Sequence, residues 1–236
     1  MKILGLDSSG LVASVAIVED DNLLAEYTVN YKKTHSQTLL PMLDEIARMT
    51  ELDFSTIDAI AIAGGPGSFT GLRIGSATAK GLGLAWKKPL VQIPTVDGIA
   101  YNLYGSRDMV CPLMDARRDQ AYTGLYEFTP EGMGILLPQC AVSIEEIVGN
   151  INRMGRPVVF LGDGVPVFRG YISEDCKVPY SFAPAHLNKQ RAAAVAALAC
   201  TYCKEGKVQT AASHSPEYLR LSQAERERLA KGQADG

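Results

Sequence analysis

Histidine is scarce in this chain of 236 residues. Only His35, His186 and His214 occur, and no two stand four apart. No His-x-x-x-His metal pair, no His-Glu-x-x-His helix and no obvious Ser–His–Asp order can be drawn. Positive charge is also short, with 23 Lys and Arg against 26 Asp and Glu and a net charge of −3. That leaves no broad electrostatic footprint for nucleic acid. No apolar run reaches the ~18 residues that span a bilayer. Met1 to Asp7 meets a carboxylate too soon for a secretory signal, so a cytoplasmic location is expected. The five cysteines, at 111, 140, 176, 200 and 203, are odd in number and irregular in spacing, as expected of reduced thiols. Cys200-x-x-Cys203 sits in an alanine-rich helical stretch, without the strand-to-helix junction of a redox pair or two further zinc ligands. Two small core residues on one helix face are expected, and neither a metal nor a cofactor.

What is present is an ordinary globular composition, 47% hydrophobic and 21% charged. The chain is organised around 59–86. A buried strand, Ile57 to Ala63, runs into Gly64-Gly65-Pro66-Gly67, and a helix follows from Phe69 to Trp86 with Ser68 as its cap. A strand, a glycine turn and a helix N-terminus make an anion-binding geometry, so Gly65, Gly67 and Ser68 are candidate contacts. The alternative is a tight turn that binds nothing. The turn has no P-loop lysine. Its glycine spacing and the absence of Asp or Glu from 84–95 exclude a dinucleotide fingerprint.

Gly71, Gly75, Ala79 and Gly83 recur every fourth residue and form a nearly side-chain-free stripe. Each helical glycine costs roughly 1 kcal/mol relative to alanine, so another surface is expected to pack close. A second helix, 36–49, carries Leu39, Leu40, Met42, Leu43, Ile46, Ala47 and Met49 round about half its circumference. One core stripe needs little over ~100°. Both helices thus have an apolar surplus that suggests a partner. Leu39, Met42, Leu43, Ile46, Gly71, Leu72, Gly75, Ala79 and Gly83 are the expected contact residues. Gly75→Leu is expected to break association while the chain stays folded.

The chain opens as a meander, with strands at 2–7, 11–18 and 23–29. Asp7 and Ser8 stand at its first turn, as an anion contact or as a self-bonded Asx-turn. Residues 105–108 form a hinge. Beyond it, 109–122 reads as a hairpin with Asp115-Ala116-Arg117-Arg118 at its tip, repeating the opening pattern. The two arginines either hold an anion or RNA phosphate, or they fill a vacated pocket or pair with a partner's carboxylates; the second reading is favoured. Ser143-Ile144-Glu145-Glu146 caps a short helix to Met154, a strand at 157–161 ends in Gly162-Asp163-Gly164, and 165–186 is read as irregular connection. Lys189 to Lys204 is a helix stopped by Gly206, and 222–231 is a charged helical tail.

Gly-Gly-Pro-Gly-Ser-Phe-Thr-Gly-Leu-Arg-Ile-Gly at 64–75 resembles the signature of the bacterial TsaB (YeaZ) family. His35 to Pro41, Asp115 to Arg118 and Ser215 to Arg220 are similar to the same family, so the resemblance spans nearly the whole chain. It implies an α/β protein of two actin-like (hexokinase/Hsp70, ASKHA) lobes: 1–106, a reduced 107–221, and a tail, 222–236. It implies a non-catalytic scaffold for making N6-threonylcarbamoyladenosine at position 37 of tRNA. The scaffold would pair with TsaD through helices 36–49 and 69–86, work with TsaE, touch tRNA only through the complex, and form a homodimer when alone. The rival readings are an ATPase or sugar-kinase-like enzyme using Asp7, Ser8 and the Gly162–Gly164 turn, and a peptidase.

Overall fold

The computed structural model describes residues 1–31 and 34–219. The charged tail expected at 222–236 lies outside the described residues. β1 (Lys2–Asp7), β2 (Ala13–Glu19) and β3 (Asn22–Val29) form an antiparallel meander. α1 (His35–Met49) crosses to β4 (Ala59–Ala63), which pairs parallel with β1. α2 (Phe69–Trp86) leads to the parallel edge strand β5 (Leu90–Ile93), and α3 (Thr95–Tyr101) leaves the sheet. The sheet order is β3-β2-β1-β4-β5.

The second half repeats the plan. β6 (Met109–Asp115), β7 (Gln120–Thr129) and β8 (Gly132–Ser143) form the meander. α4 (Ile144–Met154), β9 (Val158–Leu161), α5 (Val165–Asp175), β10 (Tyr180–Phe182) and α6 (Ala192–Lys204) complete it. The order β8-β7-β6-β9-β10 matches the first sheet strand for strand, so the fold is a two-lobed actin-like duplication. Residues 165–186 are therefore not an irregular connection. Val165, Phe168 and Ile172 stand at helical spacing and are buried on α5.

Alternation along the strands sorts two cores. Leu4, Leu6, Val15, Ile17, Ile60 and Ile62 face α1 and α2. Ile3, Ala59, Ala61 and Ala63 face the opposite side, where Val195, Ala196 and Ala199 of α6 cover them. The alanines and Gly5 let that helix come close: a Cβ on Gly5 would lie 2.4 Å from the Ala192 carbonyl oxygen. The mirror exchange occurs in the other lobe, where Val96, Ile99 and Ala100 of α3 pack on Val110, Tyr126 and Leu161. Each lobe thus lends a helix to its neighbour. α6 follows the second sheet in the chain yet packs on the first. Period-2 patterning marks which strand face is buried, but not which helix covers it.

Candidate functional site

α2 begins where Ser68 caps it, its Oγ accepting from the Gly71 amide at 3.3 Å. The glycine stripe then meets the turn after β1 of the same chain. Ser8 Oγ donates to the Gly71 carbonyl at 2.9 Å. A Cβ on Gly71 would lie 2.1 Å from the Ser8 carbonyl oxygen, and one on Gly75 would lie 2.3 Å from Ser8 Oγ. Gly83 meets Ala211 and Leu90, each 3.0 Å from its would-be Cβ. The close surface demanded by the glycines is therefore internal. Leu39, Met42, Leu43 and Ile46 are at most 4% exposed, and they pack with Ala79 on the first sheet. Leu72 is equally buried.

The expected interface residues Leu39, Met42, Leu43, Ile46, Gly71, Leu72, Gly75, Ala79 and Gly83 are thus corrected: they hold the fold. Gly75→Leu would break the fold rather than spare it. An amphipathic pattern with two apolar sides does not say which side meets the chain's own sheet. The outer side of the same two helices is the free one. It carries Leu40, Pro41, Asp44, Arg48 and Met49 on α1, and Thr70, Arg73, Ala77, Gly81, Leu84 and Ala85 on α2. Leu40 and Leu84 are 51% and 62% exposed, and Gly81 faces open space. Apolar and small residues make up most of this face, with Asp44, Arg48 and Arg73 as its charges.

The expected anion contact at the glycine turn is corrected too. The Gly64 amide donates to the Ile93 carbonyl at 2.8 Å, Gly65 to Thr95 Oγ1 at 3.1 Å and Ser68 to the Ser9 carbonyl at 2.7 Å. Those donors are satisfied internally. The Glu217 carbonyl oxygen sits 2.1 Å from a Cβ built on Gly65, and Ser9 crowds Gly67 at 2.3 Å. Asp7 is buried and accepts from the Ser9 amide at 2.9 Å and Ser9 Oγ at 2.7 Å, the Asx-turn alternative. Burial raises its pKa to about 6 against those hydrogen bonds. Gly10, beyond it, is crowded by Gln190 Nε2 and Asp163 Oδ2 from the other half of the chain. Gln190, only 1% exposed, plugs the space beside Gly10. His35 faces the same turn, Nε2 lying 2.8 Å from the Gly10 carbonyl oxygen.

Arg117 and Arg118 fill no pocket. Both are exposed, at a tip where Arg117, Arg118 and Asp119 have φ of 66°, 57° and 55°. Three successive side-chain-bearing residues in the left-handed region make a costly tip. Asp115 accepts from the Arg117 amide at 2.7 Å and pairs with its guanidinium at 3.4 Å. Arg118 has no charge partner among the described residues.

Two polar clusters were not foreseen. Asp97 on α3 accepts from Tyr126 Oη of β7 at 2.6 Å and Tyr202 Oη of α6 at 3.3 Å, tying three elements together. His214 lies 3.0 Å from Ser76 Oγ. This serine–histidine pair is at most 4% exposed, which makes it a tie rather than a nucleophile and base. Their separations of 29 and 138 residues leave no local signal in the sequence. Cys200 and Cys203 pack on the α6 core as free thiols. Among the described residues no helix is long and apolar enough to cross a membrane.

A family model described as "TsaD: tRNA N6-adenosine threonylcarbamoyltransferase" matches residues 22–228. The tRNA threonylcarbamoyladenosine biosynthesis protein TsaB of Bacillus subtilis is 29% identical over 225 residues, 95% of this chain and 96% of that protein. TsaB of Escherichia coli is 31% identical over 135 residues, 56% of this chain and 58% of that protein. YeaZ from Pseudomonas aeruginosa superposes with a TM-score of 0.79 at 25% identity, covering 92% of this chain and 99% of that one. A 2-hydroxyisocaproyl-CoA dehydratase activator from Clostridium difficile shares the fold alone, with a TM-score of 0.50 at 13% identity. The chain belongs to the TsaD-type family of that model, on its TsaB (YeaZ) branch.

Proposed function

We propose that this chain is a non-catalytic partner subunit in cytoplasmic tRNA threonylcarbamoyladenosine synthesis. It pairs with a TsaD transferase through the outer faces of α1 and α2. The observation that carries this reading is the uncovered strip Leu40, Ala77, Gly81 and Leu84, on two helices whose inner faces are fully occupied. Small residues let another helix approach closely, and Leu40 and Leu84 supply apolar anchors. The same strip serves a homodimer when TsaD is absent. TsaE joins the pair, and tRNA is met through the assembly, since a net charge of −3 supplies no basic surface of its own. Arg117 and Arg118 are available to a partner's carboxylates.

The test is size-exclusion light scattering with TsaD from the same organism. The wild type forms a heterodimer. Ala77→Arg places a long charged side chain on an exposed helical position, leaves stability within about 0.5 kcal/mol, and abolishes the heterodimer. Undiminished pairing would refute the surface. The alternative is an ATP-hydrolysing enzyme of the same fold. The burial of Asp7 and the Gln190 plug count against it, and turnover by the lone chain, lost in Asp7→Ala, would establish it.

A further inference from the structure

Residues 205–219 leave α6 and run back along the flank of α2. We propose that this segment is an acid-released strap, latched by neutral His214 and freed when that imidazole takes a second proton.

Its anchors follow one another along the helix. Gln209 and Leu90 exchange two backbone hydrogen bonds of 2.9 Å at the edge of the first sheet. Lys80 Nζ donates to the Ala212 and His214 carbonyls at 3.2 and 2.9 Å. The Glu217 amide donates to the Gly64 carbonyl at 2.7 Å. Tyr218 packs on Phe69 with centroids 5.0 Å apart, and Arg73 Nε donates to its hydroxyl at 3.4 Å.

His214 is the buried point among them. Gln209 Nε2 donates to Gln92 Oε1 at 3.2 Å. It stands 2.8 Å from His214 Nδ1, so that ring atom is the acceptor. The ring proton is therefore on Nε2 and is donated to Ser76 Oγ. A second proton would put N–H against N–H at Nδ1, in a site 2% exposed. Lys80 is the charged group that faces the ring from α2, and it repels the imidazolium. From β5 the neighbouring group is the uncharged Gln92. On the strap itself Glu205 pairs with Lys207 and the Glu217 carboxylate accepts from Gln139 Nε2 at 3.3 Å, and burial and Lys80 alone act on the ring. Burial and Lys80 hold the imidazole below its ordinary 6.5. A released strap regains that ordinary value. Closure is therefore fully stable above about pH 6.5 and weakens as pH falls, by up to about tenfold per pH unit until the folded pKa is passed. Release uncovers Gly65, Phe69, Gly83 and the edge of β5.

The test is hydrogen–deuterium exchange on the free full-length chain at pH 7.5, 6.5 and 5.5, with rates normalised to unstructured peptide. Protection at Gln209 and Glu217 is expected to fall across that range, by up to about tenfold, while β1 and β4 show no such loss. In His214→Gln the profile is flat, whatever its absolute level. A wild-type strap whose protection does not fall overturns the proposal, as does a His214→Gln strap that falls by the same factor. Should the variant strap be loose at every pH, nuclear magnetic resonance titration of the wild-type ring decides. A His214 pKa at or above 6.5 overturns the latch, and one below it supports the latch.

Discussion

Replacing Asp7 by asparagine should stabilise this protein, and most at neutral or alkaline pH. The carboxyl lies at the end of β1 and is 1% exposed. Burial lifts its pKa from 3.8 to about 6, and the nearby Asp163 adds to the rise. Both Ser9 hydrogen bonds and the field of His35 oppose that lift without cancelling it. Below about pH 4 the side chain is protonated whether the chain is folded or not, and it contributes no penalty. Between pH 4 and 6 the unfolded chain ionises first, and stability is lost as pH rises. At about 1.4 kcal/mol per unit the shift costs the native state about 3 kcal/mol at pH 8. Asparagine keeps an oxygen for the Ser9 amide and hydroxyl and removes the charge. Urea unfolding of wild type and Asp7→Asn is the assay, at pH 8 and at pH 4.5. The variant should be more stable by up to about 3 kcal/mol at pH 8, or roughly 5–10 °C in Tm. At pH 4.5 the difference should shrink to about 1 kcal/mol. A variant that is no more stable at pH 8 would mean that a cation or an additional donor compensates the ionised carboxylate in solution, and the desolvation argument would fail.

The remaining expectations use the same unfolding assay. Gly75→Leu drives a branched side chain into Ser8 and Ile62 and should cost about 3 kcal/mol or more, or prevent folding; a folded, near-wild-type variant would show that α2 can shift away from β1. Leu39→Ala empties a site 1% exposed beneath α1 and should cost about 2–5 kcal/mol; a loss under about 1 kcal/mol would place that side chain outside the core. Tyr126→Phe removes the 2.6 Å donor from Asp97 and leaves that buried carboxylate with Tyr202 alone, a loss of about 1–3 kcal/mol. That loss should shrink at acid pH, because burial already raises the Asp97 pKa and protonation removes the unsatisfied charge. A loss independent of pH would mean that packing, not the hydrogen bond, carries the effect.

Local chemistry made much of this fold readable. Ser68 caps α2, as a serine between a glycine turn and a helical run should, and the helix covers the expected 69–86. Ser143 caps α4 in the same way, accepting from the Glu146 amide at 3.2 Å. The repeat of strand, turn and strand at 109–122 matches the observed hairpin of β6 and β7. α5 escaped notice because Pro166 and Gly170 interrupt an eleven-residue segment, although Val165, Phe168 and Ile172 carried the helical spacing.

What the sequence determined by itself is whatever neighbouring residues decide: caps, turns, strand alternation, the glycine stripe and the doubled lobe pattern. It also determined that something must pack against Gly71, Gly75 and Gly83. Only the tertiary structure decided what that something is. Ser8, 63 residues from Gly71, and Ala211, 128 from Gly83, meet α2 because two sheets and an exchanged helix bring them there. The same holds for the plug of Gln190 on Gly10 and for His214 on Ser76. A helix with apolar residues on two sides satisfies its sequence whichever side turns inward. The choice comes from the shape of the sheet beneath it, a property of the whole chain that no window of the sequence contains.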